Sequence, residues 1–232
     1  KFCQLDAEGF AILTSLDVGK TLVTLAPELS TSDMIRCLVE SGVIVSAGHS
    51  AANYAQTREA LTAGVRGFTH LYNAMTPLQG REPGMVGAAL SHRDSFIGLI
   101  ADGHHVHDAL LHGALILKPS DRIMLITDAM PSAAGGPVAF KLQGREVIRI
   151  EGRLQLHDGT LAGSNLTMDE AVRYCVERLG VSLEDSLRMA SLNPASFLRR
   201  DHEFGRIKPG YIASLVHLSD DLQVLETWVE GK

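Results

Sequence analysis

The chain has 232 residues, 45% of them hydrophobic, which is enough for one large α/β domain with a sizeable core. Its formal net charge is −6, with no long basic run and no apolar stretch near the roughly 20 residues of a membrane span. These features argue against nucleic acid or a membrane as a partner. The three cysteines, Cys3, Cys37 and Cys175, form no CxxC pair, which predicts unpaired, inertly buried thiols in a cytoplasmic protein.

Five short apolar runs with no polar alternation follow one another along the first half of the chain. They cover residues 21–26, 43–47, 67–70, 96–101 and 123–127. Continuous apolar runs are typical of parallel strands that are covered on both faces. Helical patterns lie between them, at residues 31–40, 53–63 and 108–117. This alternation predicts a parallel α/β fold, either a closed barrel or an open doubly wound sheet.

The pattern changes after Pro131, where a loop rich in small residues begins. Residues 140–156 read as short strands with glycine turns, residues 167–179 and 183–191 as helices, and residues 204–228 as β structure again. The sequence therefore predicts a main domain over residues 1–203, with a β insertion near 138–157. A small β appendage is predicted over residues 204–232.

Polar, chemically reactive side chains follow several of the predicted strands. His49 and His70 each end a run, Asp102 and His105 follow the fourth, and Asp128 follows the fifth. The carboxyl ends of parallel strands face one mouth of the fold, where active sites form. One histidine at such a place is more often a hydrogen-bonded structural residue, but the repetition favours a divalent-metal site. Asp128 could then act as the acid and base of a hydrolysis.

Two loops carry further candidates, each with a plainer interpretation beside the functional one. Arg81 lies in a Gly/Pro loop and could bind phosphate, although a solvated surface arginine would look the same. Residues 159–168, GTLAGSNLTM, could present backbone N–H groups to a polar ligand. The same segment could also be an ordinary capped start of a helix.

Seven short motifs occur in a fixed order: TLAPE, VSAGHS, THLYNAM, GREPG, ADGHHV, TDAM and GTLAGSNLTM. Together they closely resemble the N-acetylglucosamine-6-phosphate deacetylases of the amidohydrolase superfamily. The resemblance implies a metal-dependent (β/α)₈ hydrolase barrel, of which the five runs are strands 4–8, plus the C-terminal strands of a small β-domain. It also implies hydrolysis of N-acetylglucosamine 6-phosphate to glucosamine 6-phosphate and acetate.

The resemblance also assigns residues, position by position. It implies that His49 and His70 bind a divalent metal (zinc first, with iron or cobalt as alternatives) and that Asp128 is the catalytic acid/base. It implies a phosphate contact at Arg81 that reaches the site of the neighbouring subunit in a homodimer, and a sugar contact at His105. The remaining substrate contacts that it implies are Asn73, Ala74, Leu161, Ala162 and Gly163.

One departure from the family pattern is serious. The upstream HLEGP motif, whose glutamate is the family's third metal ligand, is absent, as are the first three barrel strands. Glu28 and Glu82 are not motif substitutes. We therefore expect this sequence to be the C-terminal portion of the enzyme and inactive by itself. The alternatives are another amidohydrolase, such as a dihydroorotase-like enzyme, or a non-catalytic protein that binds sugar phosphate.

Overall fold

A parallel sheet forms the centre of the molecule. The computed structural model describes residues 5–137, 139–142, 144–150 and 153–232. The five parallel strands are β1 (Leu22–Leu25), β2 (Ile44–Ala47), β3 (Gly67–Phe68), β4 (Phe96–Leu99) and β5 (Ile123–Leu125). They lie side by side in chain order, β1-β2-β3-β4-β5. A doubly wound sheet reverses its strand order at a switch point, so this unreversed order is that of an arc of a barrel and confirms the predicted α/β barrel portion.

Eight helices accompany the strands in the described part of the chain, and four of them connect consecutive strands of the parallel sheet. The helices are α1 (Ala7–Thr14), α2 (Ser32–Glu40), α3 (Tyr54–Ala63), α4 (Gly84–Ser91), α5 (Asp108–Leu117), α6 (Met168–Glu177), α7 (Leu183–Ala190) and α8 (Leu192–Phe197). The Thr31 side chain caps α2 by accepting the Met34 N–H, and a capping box starts α3. Such caps satisfy backbone N–H groups that the first helical turn leaves free, which is why the helices begin where the sequence predicts.

Helices α4 and α8 were not predicted. Helix α4 has the sequence GMVGAALS and seven of its eight residues are buried, so it has no polar face to produce a helical period. Helix α8 contains Pro194 and is only six residues long. Phe197 of α8 packs on the sheet face opposite α2, against the side chains of Ile44, Phe96 and Met124. Phe197 therefore packs on the sheet face that α2 does not cover.

The remaining strands form two small antiparallel sheets. Strands β6 (Ala139–Leu142), β7 (Arg145–Ile150) and β8 (Arg153–Gln155) form one, in the described part of the predicted insertion. Strands β9 (Leu215–Leu218) and β10 (Val224–Trp228) form the other. Residues 204–214, predicted as β structure, are turns instead, because Gly205 and Gly210 adopt positive φ angles there. The domain division after residue 203 stays a prediction.

The predicted burial of the cysteines is right for one residue and wrong for another. Cys175 is buried on α6, and burial raises the pKa of its thiol to about 12, which makes it inert. Cys37 is exposed on α2. Cys3 lies outside the described residues. Among the helices that the structure describes, none is long and apolar enough to cross a membrane.

Lys118, just after α5, is a buried lysine with only 2% of its surface exposed. Its ammonium donates to the carbonyl oxygens of Ala89 and His92 at the end of α4 and to the Ser95 hydroxyl, 3.0 Å away. Burial lowers the pKa of Lys118 to about 8, the charge of Arg122 acts in the same direction, and Asp94 opposes it. This cation therefore joins α4 to the start of β4 without a direct carboxylate partner in the described part of the chain.

The pKa of Lys118 predicts how stability depends on pH. The folded value of about 8 lies below the roughly 10.4 of an unfolded lysine, so the unfolded chain binds more protons between these pH values. The free energy of unfolding should therefore rise with pH in this window, by about 2 kcal/mol between pH 8 and pH 10. Urea unfolding of wild type and Lys118→Met would measure it. The variant should lack this increment, and equal pH slopes would contradict the assignment.

Candidate active site

Two histidine rings meet just beyond the carboxyl ends of β2 and β3. The Nε2 atoms of His49 and His70 are 2.8 Å apart, and the ring centroids are 4.6 Å apart in an edge-on arrangement. His70 is only 4% exposed, whereas His49 is open to solvent. The structure thus brings together the two side chains that the sequence proposes as metal ligands.

The backbone is left-handed at the two proposed metal ligands and at the proposed acid/base. The φ angles are 48° at His49, 34° at His70 and 51° at Asp128. Positive φ is uncommon for residues other than glycine and costs free energy, and it recurs at functional sites because surrounding structure must enforce it. Each of these residues follows a different strand of the sheet, so a left-handed residue comes just after each of β2, β3 and β5.

The environment of His70 favours its neutral form. Burial lowers the pKa of the imidazole, the neighbouring His49 lowers it further, and the Asp128 carboxylate partly opposes both. Neutral imidazole is the form that binds metals. The Nδ1 atom of His70 is buried and has no hydrogen-bond partner among the described residues.

These two histidines could be two of the protein ligands of a divalent metal. Two Nε2 atoms that face each other can share one proton, or both can offer a lone pair to one cation. Catalytic zinc sites use three protein ligands, and the described residues contain no group of three or more His, Cys, Asp or Glu side chains that could hold a metal ion. The pair therefore supplies two ligands and needs a third from elsewhere.

Asp128 is exposed and lies beside the loop that contains Leu161, Ala162 and Gly163. The Asp128 carbonyl oxygen accepts the N–H of Ser164 at 2.8 Å. Gly163 has a φ of 76°, and a Cβ atom there would lie 2.5 Å from Met130 Cγ and 3.2 Å from the Asp128 carbonyl oxygen. Only glycine fits this contact without strain, so the loop is tied closely to the residue that the sequence proposes as the acid/base.

The loop after β3 is tied to the loop after β2. The carbonyl oxygen of Ala74 accepts the Ser50 N–H at 3.0 Å, and the Asn73 N–H donates to the carbonyl of His70 at 2.9 Å. Ala74 is exposed and also has a positive φ, of 48°. Asn73 and Ala74 therefore lie next to the histidine pair.

No described hydrogen bond or ion pair joins Arg81 to the histidine pair. Its side chain is exposed and makes no hydrogen bond or ion pair with any residue that the structure describes. The neighbouring Glu82 holds the loop, because its Oε1 atom accepts the N–H groups of Tyr54 at 2.7 Å and Gly84 at 3.0 Å. Arg81 is thus presented to solvent on an anchored loop.

His105 is paired with a carboxylate. Its Nδ1 atom is 2.6 Å from Asp102 Oδ2, and these two side chains are 6% and 9% exposed. A cavity of about 290 Å³ lies beside Asp102. It is lined by Ala101, Asp102, His104, Asn165, Leu166, Glu170 and Tyr174. His105, the histidine pair and Asp128 are not among the lining residues.

Sequence reasoning missed the part played by Glu28. Its Oε1 atom accepts the Ala51 N–H at 2.6 Å, and its Oε2 atom accepts the Ser50 hydroxyl at 2.5 Å. Both carboxylate oxygens therefore hold the turn that follows His49. The TLAPE motif contains this residue, but nothing in the motif shows which turn the carboxylate reaches.

Comparisons with known proteins agree on one family. A model of the amidohydrolase family matches residues 3–232. N-acetylgalactosamine-6-phosphate deacetylase from Shewanella sp. (strain ANA-3) is 42% identical over 216 residues, which are 93% of this chain and 55% of that protein.

Two solved structures are also similar. The crystal structure of N-acetylglucosamine-6-phosphate deacetylase from Pasteurella multocida has a TM-score of 0.93 and 37% identity, covering 99% of this chain and 60% of that one. A mutant of the Mycobacterium smegmatis enzyme, in complex with N-acetyl-D-glucosamine-6-phosphate, has a TM-score of 0.84 and 34% identity, covering 91% of this chain and 56% of that one.

The chain spans little more than half the length of these relatives. Within that span, the family match runs through the parallel sheet, the histidine pair and the loop beside Asp128. This chain belongs to the amidohydrolase family.

Proposed function

We propose that this chain carries the histidine pair and the acid/base of a metal-dependent deacetylase. The reaction is hydrolysis of N-acetylglucosamine 6-phosphate to glucosamine 6-phosphate and acetate. The observation that carries the proposal is the facing pair of Nε2 atoms, 2.8 Å apart at His49 and His70. The charge of Asp128 acts on His70 by partly opposing the lowering of its pKa. The names of the relatives support the substrate class.

In this proposal Asp128 moves the proton. A bound divalent metal, with zinc as the first candidate and iron or cobalt as alternatives, would be held by His49 and His70 and would polarise the amide and acidify water. The Asp128 carboxylate accepts the proton of the attacking water and then delivers it to the nitrogen of the departing amine. An amine leaves poorly without that proton, so the second transfer matters as much as the first.

Other residues of the chain would bind the substrate. We assign the sugar to His105 and the phosphate to Arg81, whose guanidinium is exposed and lacks a described partner. We further propose that Arg81 serves the site of a neighbouring subunit in a homodimer, because it does not contact its own histidine pair. The remaining proposed contacts are Asn73, Ala74, Leu161, Ala162 and Gly163. A cytoplasmic location is part of the same proposal.

A second sugar deserves a direct comparison. The Shewanella relative is named for N-acetylgalactosamine 6-phosphate, the C4 epimer of the glucosamine compound. Acetate release by the full-length protein should therefore be measured with both phosphorylated sugars and with plain N-acetylglucosamine. Fastest release from N-acetylglucosamine 6-phosphate is expected. Faster release from the epimer would make N-acetylgalactosamine 6-phosphate the substrate. Binding without any release of acetate would indicate a non-catalytic protein that binds sugar phosphate.

The role of Arg81 predicts a loss that depends on the phosphate. A charge-assisted contact contributes roughly 1.5–3 kcal/mol, so Arg81→Ala should lower kcat/KM for the phosphorylated sugar by about tenfold to a hundredfold. The loss with plain N-acetylglucosamine should be much smaller. Arg58→Ala, an exposed arginine on α3, is the matched control. An equal loss with both sugars would mean that Arg81 does not select phosphate.

A further inference from the structure

The contacts of Asp102 use both of its oxygens. Its Oδ1 atom accepts the backbone N–H groups of His104 at 2.8 Å and His105 at 2.9 Å. Its Oδ2 atom lies 2.6 Å from His105 Nδ1. Because both side chains are more than nine-tenths buried, this geometry is held by the fold and is not a passing surface contact.

The charge of Asp102 determines which ring nitrogen carries the proton. Burial by itself would raise the pKa of the carboxyl group, but the hydrogen bonds from the His105 ring and from two backbone N–H groups outweigh it, so the pKa lies below its ordinary value. An ionised carboxylate can only accept hydrogen bonds. The Nδ1 atom of His105 must therefore be the donor.

We propose that Asp102 is a positioning residue that fixes His105 as the Nδ1–H tautomer, so that Nε2 offers a lone pair to a sugar hydroxyl group. In the neutral imidazole, one ring nitrogen donates and the other accepts. His105 Nε2 would then accept a hydrogen bond from a hydroxyl group of the sugar. It could not bind the ionised phosphate oxygens, because these also only accept hydrogen bonds, so other residues would bind the phosphate. The choice of sugar as the ligand rests on the proposed function, whereas the tautomer itself does not.

The sharpest test is Asp102→Asn in the full-length protein. The asparagine Oδ1 can still accept both backbone N–H groups, while its Nδ2 replaces the oxygen beside His105 and donates to the ring. The proton should then move to Nε2. Nitrogen-15 NMR of the ring, assigned by the signals lost in His105→Gln and recorded where the imidazole is neutral, should show Nδ1–H in wild type and Nε2–H in the variant.

A control and a kinetic readout complete the test. Glu170→Gln removes another carboxylate that lines the same cavity but does not touch His105, and it should leave the tautomer unchanged. For the phosphorylated sugar, Asp102→Asn should raise KM by about fivefold to a hundredfold with a smaller change in kcat, as expected when a binding contact is lost.

The outcomes separate this proposal from the proposed function. An Nε2–H signal in the wild-type protein, or a tautomer that Asp102→Asn does not change, would overturn the role of Asp102, and the wild-type spectrum alone suffices if the variant does not fold. An unchanged KM in a variant with the altered tautomer would overturn the hydroxyl contact. If the tautomer changes as expected but no deacetylation is found, Asp102 still positions His105 and only the proposed function fails.

Discussion

Replacing Asp128 by asparagine in the full-length protein should lower kcat by about four decades, while metal content and KM stay near their wild-type values. Positioned proton transfer contributes roughly 10²–10⁴ per step, and Asp128 is proposed to act in two steps. The substitution preserves the shape of the side chain. It also preserves the Asp128 backbone contact with Ser164, so the loop beside it should keep its position.

The matched control is Asp33→Asn, the same chemical change at an exposed position on α2, where the carboxylate pairs with Arg36 and with no other residue that the structure describes. This variant should have wild-type kcat, since an exposed ion pair contributes little to stability. Acetate release under saturating substrate, with metal content measured on the same samples, gives the comparison. A kcat within tenfold of wild type for Asp128→Asn would remove this residue from the proton transfer.

The parallel sheet was predictable because its signal is local. Runs such as VIVSA and IMLIT consist of apolar and β-branched residues, and they form β2 and β5 within two residues of the predicted ends. The capped starts of α2 and α3 were predictable for the same reason. Helix α4 was not, because its sequence has two glycines and no polar face, and only the surrounding molecule buries it on all sides.

The candidate site was predictable in its residue types but not in its geometry. Placement after a strand singles out His49, His70 and Asp128, yet nothing local in the sequence indicates that each adopts a positive φ. That conformation is imposed by contacts between distant segments, for example those of Glu28 with the turn after His49. The pairing of Asp102 with His105 is easier to predict from the sequence, because the two residues are at positions i and i+3 and follow the same strand.

The second large effect should follow from removing one histidine of the pair. In the full-length protein, His70→Asn leaves an amide that reaches only the position of Nδ1, so nothing replaces the Nε2 atom that faces His49. Removing a residue that only hydrogen-bonds to a metal ligand typically weakens metal binding by 10- to 100-fold. Loss of a ligand should therefore weaken it by at least about a hundredfold. Activity should fall with metal occupancy.

His92→Asn is the matched control for that experiment. His92 lies at the end of α4, away from the pair, yet burial also lowers the pKa of its ring, and its Nδ1 atom likewise has no partner among the described residues. Metal affinity, measured by competition with a coloured chelator, should match wild type in this variant and drop only in His70→Asn. If both variants bound metal as wild type does, the contact between His49 and His70 would be a structural hydrogen bond, and the metal would have to lie elsewhere.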